Sequence, residues 1–450
     1  MKGKTKLAIT FLSLGLSPFA PRVSMAQAAV QSVHHHGYRF VDVGALGGPA
    51  SYFSADYIGG ITLNNAGLAT GSADIADRDP NAPNCDRPDC FIDHAFRWVD
   101  GRMIDLGALA PDLPSNAAAI NNRGWVAGLS QNGVIDPATG APEVRAVLWT
   151  TNRIIDLGTL GGANSVATQI NDRGQVLGAS SNNVPDPFSI FGAPTQTRTF
   201  VWEDGDMKDV GTLGGPDAAP FSINNRGQVA GSSYLNDSPN ADTGIPTLDP
   251  FLWEKGTMID LGSLGGTVGA AQGMNSRGEV TGVSALEGNQ VSHPFLWSPE
   301  KRRMQDLGTL GGNNGSANWI NDRGEVVGSA DLLGSQVHHA FLWRAGAMID
   351  LGTQSGDPCS VATAINSSEQ IVGTSSNCHD SLHAFLWEDG SMVDLNSFLP
   401  ANSSLRRLVI AMNINDRGVI YGAGVPAGVR PEDVEAGGHV FLLIPCEGDE

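Results

Sequence analysis

Five histidines occupy the same place in a recurring string: His94, His293, His339, His383 and His439, with Arg145, Arg198 and Asp249 standing there in the other copies. An imidazole can ligate a metal or move a proton, but either task needs partner groups gathered within a few ångströms. Residues that recur at one position of a repeat sit on separate modules, spread around a wide circle, and cannot share one ion. Their expected role is structural, a hydrogen bond to a neighbouring loop. The run His34-His35-His36 could take up metal as a tail. A second candidate is the acidic stretch holding Asp74, Asp77, Asp79, Asp86, Asp89 and Asp93. Hard carboxylate oxygens suit calcium, and Asp74, Asp77 and Asp79 are its candidate ligands. The stretch lacks the Asp-x-Asp-x-Asp-Gly spacing, so a solvated acidic loop is the competing reading. Calcium is the one cofactor suggested, and none is required. Trp125 and Trp319 fall outside the repeated Trp position and adjoin turns. They are candidate ligand-binding residues, able to stack on sugar rings if exposed and to pack on a neighbouring module if not.

Nucleophilic and cofactor chemistry find no string of their own. There is no Gly-x-Ser-x-Gly elbow, and no Gly-x-Gly-x-x-Gly between a strand and a helix. A pair of carboxylates for glycosidic cleavage is conceivable in so acidic a chain, but spacing in sequence does not give their separation. Of the five cysteines, Cys85 and Cys90 could close a small loop, and Cys359 and Cys378 flank a turn that would bring them opposite each other. A bridge across the latter loop stabilises by about 3 kcal/mol, chiefly through the unfolded state. Cys446 is left over. No Cys-x-x-Cys pair with matching histidines supports zinc.

The modules come from internal repetition, which dominates the chain after residue 38. A turn recurs at Asn64, Asn121, Asn171, Asn224, Asn275, Asn321, Asn366 and Asn415, as in Asn171-Asp172-Arg173-Gly174, with a period of about 50 residues. Between turns run His-Ala-Phe-Leu-Trp strings and Asp-Leu-Gly-Thr-Leu-Gly-Gly strings. Each unit reads as four short strands, a to d. Strand a precedes the Asn turn, strand b follows it with small residues, strand c carries alternating Phe and Trp, and strand d ends in Asp-Leu-Gly. The turn has Asn where a type I turn wants an acceptor and Gly where φ must be positive. No helical period appears. One such unit cannot bury both faces, whereas radial stacking can. The fold expected is a single closed all-β propeller of eight four-stranded blades over 38–446. The chain opens with a lone d-type strand, Tyr38–Val43, and ends with a lone c-type strand, His439–Ile444, so the N-terminal strand should complete the last blade.

Taken together, the His-Ala-Phe-Leu-Trp, Asp-Leu-Gly-Thr-Leu-Gly-Gly and Ile-Asn-Asp-Arg-Gly strings resemble the HAF-repeat family of extracellular bacterial proteins, over nearly all of residues 38–444. The resemblance implies an exported repeat protein and no particular activity. Unit 7 departs from the pattern, with Glu369 for Gly and Gln354-Ser355-Gly356 for Leu-Gly-Gly, and unit 8 has Leu443 for Trp. These departures bear on the local turn.

Lys2, Lys4 and Lys6 before the apolar run Leu7–Ala20, then Ala26-Gln27-Ala28, read as a secretory signal peptide over 1–28. Residues 29–37 read as a flexible segment and 447–450 as a tail. The protein is expected outside the cytoplasm, secreted or periplasmic, without membrane insertion, where disulfides persist. A net charge of −20 argues against nucleic acid as a partner. The function expected is a monomeric binding or interaction scaffold for a glycan, a cell-surface component or a protein. The alternative is an extracellular polysaccharide hydrolase or lyase using acidic residues of the b–c loops.

Overall fold

The computed structural model describes residues 37–52, 60–79, 85, 89–334, 337–354 and 356–446. Residues 1–28, read above as a signal peptide, most of 29–37 including His34–His36, and residues 447–450 lie outside the described residues. Among the described residues the chain is all-β, in eight antiparallel groups of four strands, with one short helix at Val434–Gly437. Unit 3 is representative: strand a Ser165–Ile170, b Val176–Pro185, c Thr195–Glu203 and d Asp206–Asp209, hydrogen-bonded in that order. Units 4 and 5 are also joined by one parallel bridge, Leu248 to Val268.

The Asn turn does the folding work locally. Gly174 N donates to Asn171 O, and Asn171 N donates to Gln175 O, each at 3.0 Å, with Gly174 at φ +90°. Unit 7 keeps this shape without the glycine. Glu369 takes φ +62°, and Ser368 N and Gln370 N both donate to Asn366 Oδ1, at 2.9 and 3.0 Å. A left-handed conformation costs an ordinary residue about 1–2 kcal/mol, so Glu369 is held there by the turn around it.

Strand b carries a glycine opposite the Phe of strand c, as in Gly178–Phe200, Gly282–Phe295 and Gly422–Phe441. A Cβ at Gly178 would meet the Phe200 ring at 2.5 Å, so the ring lies over bare backbone. The Phe and Trp of each unit then pack on aliphatic side chains of the unit before. Leu177, Val201 and Val210 of unit 3 meet Ile223, Phe251 and Trp253 of unit 4. The same arrangement joins unit 8 to unit 1, where Ala423 and Leu442 meet Phe96 and Trp98. Burying one such Trp against a neighbour contributes about 5 kcal/mol of gross transfer energy.

The Tyr38–Asp42 strand pairs antiparallel with His439–Pro445, Val41 opposite Leu442 and Asp42 opposite Phe441, and so lies fourth in the last sheet. A belt of side chains runs around the turns. Asn64 Nδ2 donates to Asn121 O, Asn121 to Asn171 O, and so on through Asn171, Asn224, Asn275, Asn321 and Asn366, until Asn415 Nδ2 donates to Asn64 O at 2.9 Å. The eight bonds return to the residue where they began. Disulfides join Cys85 to Cys90 and Cys359 to Cys378, and Cys446 is free and exposed.

Asn415 Oδ1 also accepts from Arg417 N and Val419 N, at 3.0 and 2.9 Å. Replacing it by Ala strands these two amide donors and takes from the Asn64 carbonyl its inter-unit partner, leaving it only Gly67 N at 3.1 Å. Asn415→Ala is expected to cost about 2–3 kcal/mol, read from urea midpoints, while Asp416→Ala at the exposed next position costs less than about 1 kcal/mol. Equal midpoints for the two variants would remove the belt from the account of stability.

Candidate functional site

The strand order puts b–c loops and d–a crossovers on one face of the assembly, and a–b and c–d turns on the other. On the b–c face the repeated His is bound locally. His94 Nδ1 lies 3.0 Å from Asp105, His293 2.9 Å from Asp306, His339 2.8 Å from Asp350 and His439 3.0 Å from Asp42. Each partner is the Asp that ends strand d of the same sheet. That Asp also accepts from the Gly two residues on, as at Gly107, Gly308, Gly352 and Gly44. The Asp-Leu-Gly string is therefore a turn cap and a His holder at once. His383 instead reaches Asp357 at 2.9 Å, and Arg198 pairs with Asp209.

Burial lowers the proton affinity of His94, but the adjoining Asp105 carboxylate outweighs it, and the pKa lies above its ordinary value. His439 is raised chiefly by its hydrogen bond to Asp42. Burial would raise Asp105 and Asp42, yet the histidines and the glycine amides hold both below the ordinary carboxylate value.

The three calcium candidates separate. Asp77 points to solvent. Asp79 is buried, and its backbone N donates to Cys90 O at 3.1 Å. Asp136 and Asp186 hold the same place in units 2 and 3, where their carboxylates cap the loop through Ala138 N and Phe188 N. Asp74 is fully enclosed, with Oδ2 accepting from Ala50 N at 2.9 Å. Burial first, then the Asp89 charge, pushes Asp74 well above the ordinary carboxylate range. Among the described residues no three His, Cys, Asp or Glu side chains gather as a metal site. Asp249 occupies the His position opposite Asp260, and burial with that charge raises it to about 6.

Units 1 to 3 extend strands b and c beyond the sheet as arms, with matching irregularities at Asp74/Arg78, Gln131/Ile135 and Ser181/Pro185. Asn132 and Asn182 brace the arms, each accepting from the amide two residues on and donating across to Glu143 or Gln196. The arms of the adjacent units 2 and 3 present Val134, Ile135, Val184 and Phe191 to solvent, Phe191 at 57%. Sequence reading missed these four. The signal lay in polar, loop-like surroundings that carry Val-Ile and Val-Pro pairs.

The turn face is polar. At the second turn position Asn65, Asn122, Asp172, Asn225 and Asp416 hydrogen-bond to one another between neighbouring units. Trp125 and Trp319, the candidate ligand-binding residues, are not brought together. Trp125 is half-buried, 2.9 Å from where a Cβ on Gly174 of the next unit would stand, with the Arg123 guanidinium 5.3 Å over its ring. Trp319 lies on strand a, half-buried against the cores of units 6 to 8. A concavity of about 860 Å³ crosses the unit 7 turns and is lined by Arg323, Arg344, Ser368, Gln370, Trp387 and Gly418 among others.

No family model matches the chain, and no curated protein matches it. Among solved structures it is similar to the β-propeller domain of the Trilobed protease from Pyrococcus furiosus, described as having an open velcro topology. The identity is 10% over 82% of this chain and 99% of that one, with a TM-score of 0.45. It is also similar to the Dos1 propeller, at 9% identity over 91% and 95% and a TM-score of 0.43. A prolyl endopeptidase aligns at 10% identity over 67% of this chain and 45% of that one, with a TM-score of 0.47. At this distance the strand pairing itself carries the fold.

The raised histidines contribute stability that is complete below their ordinary value and lost as pH rises through the folded one. The lowered Asp105 and Asp42 contribute above their ordinary value and lose it as pH falls. Raised Asp249 favours folding when protonated and loses this as pH rises through about 6. The raised histidines and raised Asp249 both predict greater stability at pH 5 than at pH 8, whereas the lowered Asp105 and Asp42 are ionised throughout that window and contribute equally at both ends. Urea midpoints should show it, and Asp249→Asn should narrow the difference by roughly 1 kcal/mol. A midpoint that rises from pH 5 to pH 8 would contradict the assignment.

Proposed function

We propose that the protein is an exported, closed eight-bladed β-propeller that acts as a binding scaffold and engages its partner through the b–c face. Support for closure comes from the belt that returns to Asn64 and from the unit 8 to unit 1 core. Two disulfides fit an oxidising compartment, and no described helix is long and apolar enough to cross a membrane. The observation that carries the binding reading is the exposure of Val134, Ile135, Val184 and Phe191 on braced arms of two adjacent units. Exposed apolar groups held on rigid supports mark an interaction surface, and they suit a protein or the apolar face of a glycan.

The hydrolase alternative would draw on the raised carboxylate of Asp74. That side chain is wholly enclosed and its Oδ2 is engaged by Ala50 N, so no substrate oxygen meets it. Trp125 and Trp319 remain secondary candidates on the other side of the assembly, and calcium at the first arm would need Asp77 and Asp79 to turn inward.

Two experiments test the proposal. A glycan array and a quantitative pull-down from envelope and culture-fluid fractions would compare the wild type with Val134→Asp/Phe191→Asp, beside a reducing-sugar release assay. A partner retained by the wild type and lost at least tenfold by the variant, at an unchanged melting temperature, is the expected result. Sugar release from a polysaccharide would favour the hydrolase instead. For closure, deleting residues 38–48 should markedly broaden and lower the thermal transition; an unchanged transition would refute it.

A further inference from the structure

Each unit's turn is reached by an arginine from the unit before, with one exception. Arg226 Nη1 donates to Arg277 O at 3.4 Å and Arg417 Nη1 to Ala66 O at 3.1 Å. Arg323 lies 3.5 Å from Glu369, and a Cβ added at Gly324 would stand 2.9 Å from Arg277 Nη2. Arg173 is closer still to Gly227, and Arg123 would be 3.8 Å from such a Cβ at Gly174. Unit 1 carries Ala66 in place of the turn arginine, yet the place is filled. Arg97, where the other c strands have Leu or Val, donates Nη1 to Gly124 O at 2.8 Å.

Unit 7 has neither device. It carries Ser368 in the turn and Leu386 in strand c. A Cβ on Gly418 would meet Gln370 and Pro445, at 3.2 Å each, and no guanidinium. The space belongs to the concavity of about 860 Å³ on the turn face. Its chemistry is set by what the other turns do. Gln175 Oε1 accepts from Arg173 at 2.6 Å, and Glu279 and Glu325 accept from Arg277 and Arg323 Nε at 3.2 and 3.1 Å. Gln370 is their counterpart. Its Oε1 accepts from Asn366 Nδ2 at 2.8 Å, its Nε2 donates to Glu388 at 2.9 Å, and no described arginine reaches it. The bases lining the concavity are engaged elsewhere: Arg323 and Arg344 on Glu369, Arg417 on Ala66.

We propose that the gap between Ser368 and Gly418 is a guanidinium subsite that accepts an arginine side chain from a protein partner. Gln370 Oε1 accepts one N–H, and the Glu388 carboxylate behind it supplies the charge. A guanidinium fits better than an ammonium because the equivalent place between units is taken by an arginine seven times over. The net charge of −20 favours a cationic partner. The inference rests on the scaffold reading but uses the face opposite the arms, so the two can fail separately.

The test uses the full chain with glutamine-selective ¹⁵N labelling, the Gln370 side-chain signal being assigned through Gln370→Glu. The probes are Ac-Gly-Arg-Gly-NH2 and Ac-Gly-Lys-Gly-NH2, titrated at constant ionic strength. The expected result is a saturable shift of the Gln370 signal by the arginine peptide, at least threefold tighter than by the lysine peptide. Ser368→Arg, which restores the residue six other turns carry, should abolish that shift, and Ser368→Ala should retain it. A shift that does not saturate, that is equal for both peptides, or that survives in Ser368→Arg overturns the proposal. Val134→Asp/Phe191→Asp should leave the titration unchanged, which separates failure of this site from failure of the arms.

Discussion

One carboxamide per unit holds the assembly together. The Oδ1 of each belt Asn closes its own turn, and the Nδ2 donates to the backbone of the next. No other side chain of that length offers an acceptor and a donor on opposite sides of one planar group. Asp would lose the donor, and Ser would lose the reach. The angle between consecutive sheets is therefore set where strand a turns, and the aromatic packing farther out has to fit it. Because each belt Asn also accepts amides of its own turn through Oδ1, removing one leaves several groups unsatisfied at once. This explains why Asn persists at all eight turns even where Arg and Gly around it do not.

The outer half of each unit follows from a second constraint. Phe lies over the strand-b glycine, the Trp two residues on reaches the preceding unit, and the Asp of strand d pins both its own turn and the incoming His. The last sheet obeys the same rule with pieces from opposite chain ends. Asp42 comes from one and His439 from the other, and Val440 N donates to Ser51 as Ala146 N donates to Ser165 and Ala340 N to Ser360. Completing the last sheet with the N-terminal strand needs no special device, only a repeat cut between strands c and d.

Much of this was legible in the sequence, and the divide is physical. Turn chemistry, strand order and the terminal phase are local patterns, so Asn171–Gly174 and the lone Tyr38 strand announced themselves. The Cys359–Cys378 pair followed from the hairpin between them. Lateral contacts did not, because a partner about 50 residues away leaves no local trace. The Nδ2 donors of the belt belong to that class, and the enclosure of Asp74 by Ala50, 24 residues away in the same sheet, was hidden for the same reason. Glu369 shows the same limit from the other side. A missing glycine reads as a broken turn, but Glu369 adopts the positive φ of the seven turn glycines, held there by the Asn366 hydrogen bonds.

Departures from a repeat this regular therefore sort by what compensates them. Ala66 is answered by Arg97, and the glycine lost at Glu369 is answered by ion pairs to Arg323 and Arg344. Leu443 for Trp is answered by the Tyr38 and Phe398 rings, which pack edge to face at 5.1 Å beside it. Compensated departures keep the packing and need no function to explain them. The exposed Val134, Ile135, Val184 and Phe191 and the Ser368 gap are different, since each leaves apolar surface or hydrogen-bonding capacity facing water with nothing among the described residues to cover it. On a frame whose repeated positions are mostly filled, the unfilled ones are where a second molecule has something to gain.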